Sequence, residues 1–275
     1  MPTFASPQPV TATVEVAGAH VRVTASERTD TSVTVAPIDQ TSRKDVKVAE
    51  KTKVEYADGR LSVKTTASGD KDGSVAITID LPAGSSLAAY LAHSDIHATG
   101  KLGDSELHMA SGKARLDHVN ALRANISSGE VAVDHVAGTA DVEGGAFTMR
   151  IGEALGPVAI ESSGGQAWIG HAHAAFKLNT ATCDLDIDRA DADVTATTAS
   201  GAIRIGRLTH GQATLTNASG NIEVGIAPGT TAYVAAKSER GAVRDYVSAA
   251  SNPDSEVTVH ARTRHGDIII RPAAN

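Results

Sequence analysis

Aromatic side chains are scarce: they make up 3% of the 275 residues, and Trp168 is the single tryptophan. An interior built on large rings is excluded, and a narrow core filled by aliphatic side chains suits this composition. Cysteine occurs once, at position 183, so no intramolecular disulfide can staple the chain. With no histidine or other base near it in sequence, Cys183 reads as a small buried residue and not as a nucleophile. Helical signals are nearly absent, since no long stretch places apolar residues at three-and-four spacing. No apolar run is long enough to cross a bilayer as a helix, and residues 1–7 lack the basic and apolar segments of a secretory signal. The expected location is therefore cytoplasmic. The formal net charge of -7 is spread over interspersed charges of both signs, which leaves no basic stripe for RNA or DNA.

What the chain has in abundance is a short repeat. A small dipeptide followed by alternating apolar residues recurs as Ser111-Gly112, Ser128-Gly129, Ser200-Gly201 and Ser219-Gly220. Taking the second residue of each pair as an anchor gives Ser94, Gly112, Gly129, Phe147, Gly165, Cys183, Gly201 and Gly220, a period of about eighteen. Two residues past each anchor stand Ile96, Ala114, Val131, Met149, Ala167, Leu185, Ile203 and Ile222. Four past it stand Ala98, Leu116, Val133, Ile151, Ile169, Ile187, Ile205 and Val224. The residue between them is mostly polar or charged, so each anchor opens a strand buried on one face. A second apolar pair precedes each anchor, as Val158 with Ile160 or Phe176 with Leu178. Each period therefore supplies two short strands joined at a corner of small residues, which is one turn of a β-solenoid. Phe147 and Cys183 break the anchor pattern and imply modified corners.

The ends are less regular. Gly241 with Val243, and Gly266 with Ile268 and Ile270, predict two further turns after the regular ones. The polar segment 248–255, with Asn252-Pro253, reads as an excursion loop, and 39–45 and 67–73 read as loops near the front. Residues 1–90 are expected to begin and cap the body, and 91–275 to carry the regular repeats, within one domain of 1–275; a separate N-terminal domain is the alternative. Arg271-Pro272 reads as the stop that ends the strand ladder.

Three strings add to the turns typified by Ser200 to Gly206: Glu27-Arg28-Thr29-Asp30, Tyr56-Ala57-Asp58-Gly59-Arg60-Leu61 and Arg262-Thr263-Arg264-His265-Gly266-Asp267-Ile268. As a set, these resemble the adhesin-like β-strand-repeat family, domain of unknown function 4097, over the whole chain. The resemblance implies a right-handed parallel β-helix and brings no catalytic residues; with the period read above, the expected fold is all-β, a right-handed parallel β-helix with about 18 residues per turn.

The histidines are the nearest approach to a site. Six past the anchor the column reads His118, His135, Glu153, His171, Arg189 and Arg207, so His118 and His135 should stack on adjacent turns, each preceded by an aspartate, Asp117 and Asp134. Imidazoles one rung apart could share a metal with a carboxylate. A residue duplicated with the repeat forms such a column automatically, however, and the expectation is a solvated ladder with no metal and no cofactor. Asp184, Asp186, Asp188, Asp191 and Asp193 form the densest acidic patch, on strand positions that should face water. Trp168, between Ala167 and Ile169, should also point outward and could stack on a sugar or a partner. Trp168, Asp186 and Asp188 are the expected partner surface. The reading is a non-catalytic binding or scaffold protein for a protein or extended glycan partner, with end-to-end association of copies open to it. The alternatives are a carbohydrate-active enzyme on a parallel β-helix and a self-assembling filament.

Overall fold

The computed structural model describes residues 2–65, 73–247 and 256–274. The expected loop at 248–255, and nearly all of that at 67–73, lie outside the described residues. The fold is all-β, with 72% strand and 3% helix among the described residues, and its strands pair mostly in parallel. The chain divides into two compact units, Met1–Ala137 and Gly138–Asn275.

In the second unit the predicted alternation is met strand by strand. Val158–Ala172 lies in parallel register between Ala140–Ala154 and Phe176–Ala190. Ile151, Ile169, Ile187, Ile205, Val224 and Ile270 oppose one another in sequence of strands, and all six are fully buried. Each such side chain contributes about 1.5–3 kcal/mol by leaving water, so one column of identical chemistry supplies a large part of the unit's stability.

The corners explain the glycines. Gly165 has φ +121°, and a Cβ built on it would lie 1.8 Å from the Phe147 carbonyl oxygen of the neighbouring strand. The backbone of one rung presses on that of the next, and only glycine admits both the contact and the dihedral. Phe147 and Cys183 solve the corner differently, by turning their side chains into the core, where both are buried.

The order of the strands departs from the order of the sequence at both termini. The final strands Val257–His265 and Ile268–Pro272 do not lie outermost. Val257–His265 sits between Gly211–Ser219 and Ala232–Arg240, and Ile268–Pro272 between Ile222–Ile226 and Val243–Asp245. Arg271-Pro272 thus ends an inner strand and does not close the stack. The first unit mirrors this. Thr11–Ala17 lies between Arg60–Lys64 and Ser86–Ala92, and Ala19–Ser26 between Val75–Pro82 and Ser94–Lys101. Antiparallel strands cover its outer edge: Asp30–Pro37 on Val75–Pro82, Thr3–Ala5 on Asp30–Pro37, and Lys53–Ala57 on Arg60–Lys64.

The loop expected at 39–45 is half helix. Ser42 caps the helix Arg43–Lys51, its hydroxyl accepting from the Asp45 amide, and Val48 is buried. The Ser42-x-x-Asp45 cap was present in the sequence, but one short amphipathic helix carries too few apolar residues to register as a period.

Candidate functional site

Because the core takes alternate residues, everything available for binding stands on the outward positions. In the first unit Arg22, His97 and Arg115 occupy adjacent parallel strands in direct register. All three are exposed. Among the described residues none of the three side chains has a hydrogen-bond or ion-pair partner. They line an open groove of about 480 Å³ together with His20, Asp95 and Lys113. The remaining charges there are engaged: His20 Nδ1 stands 3.5 Å from Asp95, the Lys113 amide donates to Asp95 at 3.0 Å, and the Lys113 ammonium pairs with Glu130 at 3.4 Å. The groove therefore presents a row of three uncompensated cationic or ionisable groups, spaced by the strand separation of about 4.8 Å.

In the second unit Trp168 is half-buried between Arg150 and Asp186 on its neighbouring strands. It lines a groove of about 250 Å³ with Thr148, Arg150, Gln166, Asp184 and Asp186. The indole runs along the strand over Gly170, where an added Cβ would meet Cη2 at 3.2 Å. Asp186 and Asp188 both engage the Arg204 guanidinium, Asp188 at 3.5 Å, and the Asp186 hydrogen bond in particular strengthens that guanidinium's hold on its proton. The acidic patch is thus partly neutralised by an arginine on the next strand, and these two carboxylates are spoken for as its partners.

A third constellation lies where the strands of the second unit turn their corners. Glu153, His171, Arg189 and Arg207 form one column in register. His173, Asp191 and Thr209 form the next column, each amide donating to the carbonyl of the preceding rung: His173 to Ala154, Asp191 to Ala172 and Thr209 to Ala190. The corner brings the two columns face to face. His171 Nε2 lies 2.7 Å from Asp191 Oδ2, and His173 Nε2 lies 2.8 Å from Glu153 Oε1. The two imidazole rings lie with centroids 3.6 Å apart, tilted by 32° to one another. Asp191 also accepts from Arg189 Nε at 2.8 Å and from the Thr209 hydroxyl at 2.7 Å. Partial burial acts to raise the Asp191 pKa, but the bonds from Arg189, Thr209 and His171 outweigh it and hold the carboxyl well below the usual carboxylate range.

Residues 12–271 match the model of a known protein family, Toastrack DUF4097. The chain belongs to the Toastrack family. Among solved structures it is similar to a candidate adhesin from Parabacteroides merdae, at 13% identity over 98% of this chain and 94% of that one, with TM-score 0.45. A candidate adhesin from Parabacteroides distasonis gives 13% identity over 98% and 95%, with TM-score 0.42. A candidate lipid-binding protein from the same species gives 12% identity over 99% and 96%, with TM-score 0.32. No curated protein matches.

In this Toastrack chain the histidines His118 and His135 do stand opposite each other on adjacent strands, with ring centroids 5.3 Å apart. Their aspartates diverge: Asp117 accepts from the Gly100 amide at 3.1 Å, while Asp134 is exposed. Among the described residues, the grouping of three side chains with metal-ligating atoms falls instead on Glu153, His171 and His173. Two of these stood in the column read from the sequence. His173 did not, because it lies beyond the strand, and its meeting with Glu153 depends on how the corner turns. The His171-Ala172-His173 spacing was the available signal.

Proposed function

We propose that this Toastrack protein is a non-catalytic binding module, a right-handed parallel β-helix of about 18 residues per turn in which 1–275 acts as one domain, and that its partner is an extended acidic glycan. The observation that carries the reading is the row Arg22, His97, Arg115, uncompensated by any neighbour and set at strand spacing over an open groove. A row of cations at fixed intervals suits a polymer with negative charges at intervals, and it favours charge and shape over enclosure. The Trp168 groove supports the same class, since a half-exposed indole flanked by Thr148, Gln166 and Asp184 offers a stacking face with donors and acceptors at its rim. The engagement of Asp186 and Asp188 with Arg204 supports a binding surface over a glycosidase, which needs one carboxyl raised in a cleft.

The test is a binding screen of the purified chain against uronic-acid, sulfated and neutral polysaccharides. The expected outcome is selective binding to acidic chains, weakened by salt and reduced at least ten-fold in an Arg22→Ala/Arg115→Ala double variant. Binding confined to acidic peptides would move the protein to the scaffold class. Release of reducing ends from any polysaccharide, abolished by Asp186→Asn, would make it an enzyme. Fractionation of the source cells reads the cytoplasmic location taken from the sequence.

The second reading, end-to-end association, is favoured by one feature. Val243–Asp245 pairs on one side only among the described residues, and Val243 and Tyr246 there are 43% and 63% exposed. An edge with unpaired backbone and apolar side chains is a template for another strand.

A further inference from the structure

The corner cluster of the second unit has a chemistry that glycan binding does not use. Glu153, His171 and His173 each offer one ligating atom, and these atoms lie within 4.8 Å of one another. Two imidazoles and a carboxylate are the donor set of zinc-class divalent ions, and donors around such an ion stand about 3.4 Å apart when each bond is about 2.1 Å. All three side chains are half-buried at a corner, sheltered enough to exclude much of the competing water.

We propose that Glu153, His171 and His173 form a binding site for a zinc-class divalent cation, with Asp191 as the carboxylate that orients His171. Asp191 is itself fixed on its other oxygen by Arg189 and Thr209. It thereby sets the tilt of the His171 ring and leaves one imidazole nitrogen for the metal, the arrangement by which a carboxylate partner tunes a ligating histidine. The ion takes the place of the proton between His173 and Glu153 while the His171–Asp191 bond is kept, so two rings with centroids 3.6 Å apart are joined by a common charge. The site links consecutive strands Ala140–Ala154 and Val158–Ala172 at the corner where they turn, so occupancy also staples two rungs.

The experiment is a calorimetric titration of chelator-treated protein with Zn²⁺, paired with the visible absorption of Co²⁺ in the same site. One equivalent is expected to bind, with a tetrahedral Co²⁺ spectrum and a rise in melting temperature. His173→Ala and Glu153→Gln are each expected to weaken binding at least ten-fold. Asp191→Asn is expected to weaken it less and to shift the Co²⁺ bands, as a change in His171 orientation would. His118→Ala should leave all of these unchanged. His173 lies past its strand, so its variant tests the site even if His171→Ala fails to fold. Folded protein that binds no equivalent of either ion, or binding that survives His173→Ala and Glu153→Gln together, overturns the proposal. Glycan binding is measured on the same samples and stands or falls separately, because Arg22 and Arg115 belong to the other unit.

Discussion

At the scale of single residues, this fold asks different things of similar side chains. Gly165 and Gly59 both have positive φ, +121° and +72°, but only Gly165 abuts a carbonyl oxygen, while a Cβ at Gly59 would meet nothing within 4 Å. Gly59→Ala should therefore cost about 1–2 kcal/mol from the left-handed backbone alone. Gly165→Ala should cost more than 4 kcal/mol, roughly the threshold of the exceptional class, because two backbones must part. Urea unfolding of the two variants reads the difference. Cys183 is a second case. Burial pushes its thiol up to about 11, with the Asp184 charge adding to the effect. A group raised on folding contributes stability that is present below its ordinary value of 9.0 and is lost as pH rises toward 11. Thiol reagents should leave the native chain unlabelled at pH 8, and Cys183→Ala should flatten the loss of stability between pH 9 and 11. Labelling of the folded protein at pH 8 would contradict the burial.

At the scale of elements, the helix Arg43–Lys51 and the outer strand Val243–Asp245 are the informative pieces. The helix has one buried side chain, Val48, and depends on its Ser42 cap. Ser42→Ala is expected to cost about 1 kcal/mol, seen as faster hydrogen exchange in residues 43–51 and little change elsewhere. The strand Val243–Asp245 is where association of copies would begin. If it does, sedimentation should show concentration-dependent species that Val243→Lys abolishes, since a charge on an edge opposes strand addition. A monomer at all concentrations would leave that edge without a function in assembly.

At the scale of the whole molecule, strand order and sequence order disagree at both ends, and this has a measurable result. Among the described residues, Val257–His265 and Ile268–Pro272 have partners on both sides, whereas Ala232–Arg240 and Val243–Asp245, which precede them, have partners on one. Native-state hydrogen exchange should find 257–272 better protected than 232–245, the reverse of fraying from a terminus. Truncation after Asp245 should likewise destabilise the C-terminal unit as a whole, because it removes the strands on which Ile222–Ile226 and Gly211–Ser219 pack. Retention of a native melting transition after that truncation would refute the inner placement.

The alternation of apolar residues, the inward positions and the glycine corners were legible in the sequence, because each is a local consequence of strand geometry repeated along the chain. The facing of His118 and His135 followed from the same register. What the sequence left open depends on long-range pairing. Arg22 joins His97 and Arg115 only because the first strands are inserted between later ones, and no spacing in the chain announces that. His173 meets Glu153 only because a corner swings it across a rung. Periodicity specifies which residues share a face. The order of the rungs, and hence which charges and ligands become neighbours, is set by strands finding their partners in three dimensions, where hydrogen-bond registers are alike and only packing at the ends tells them apart.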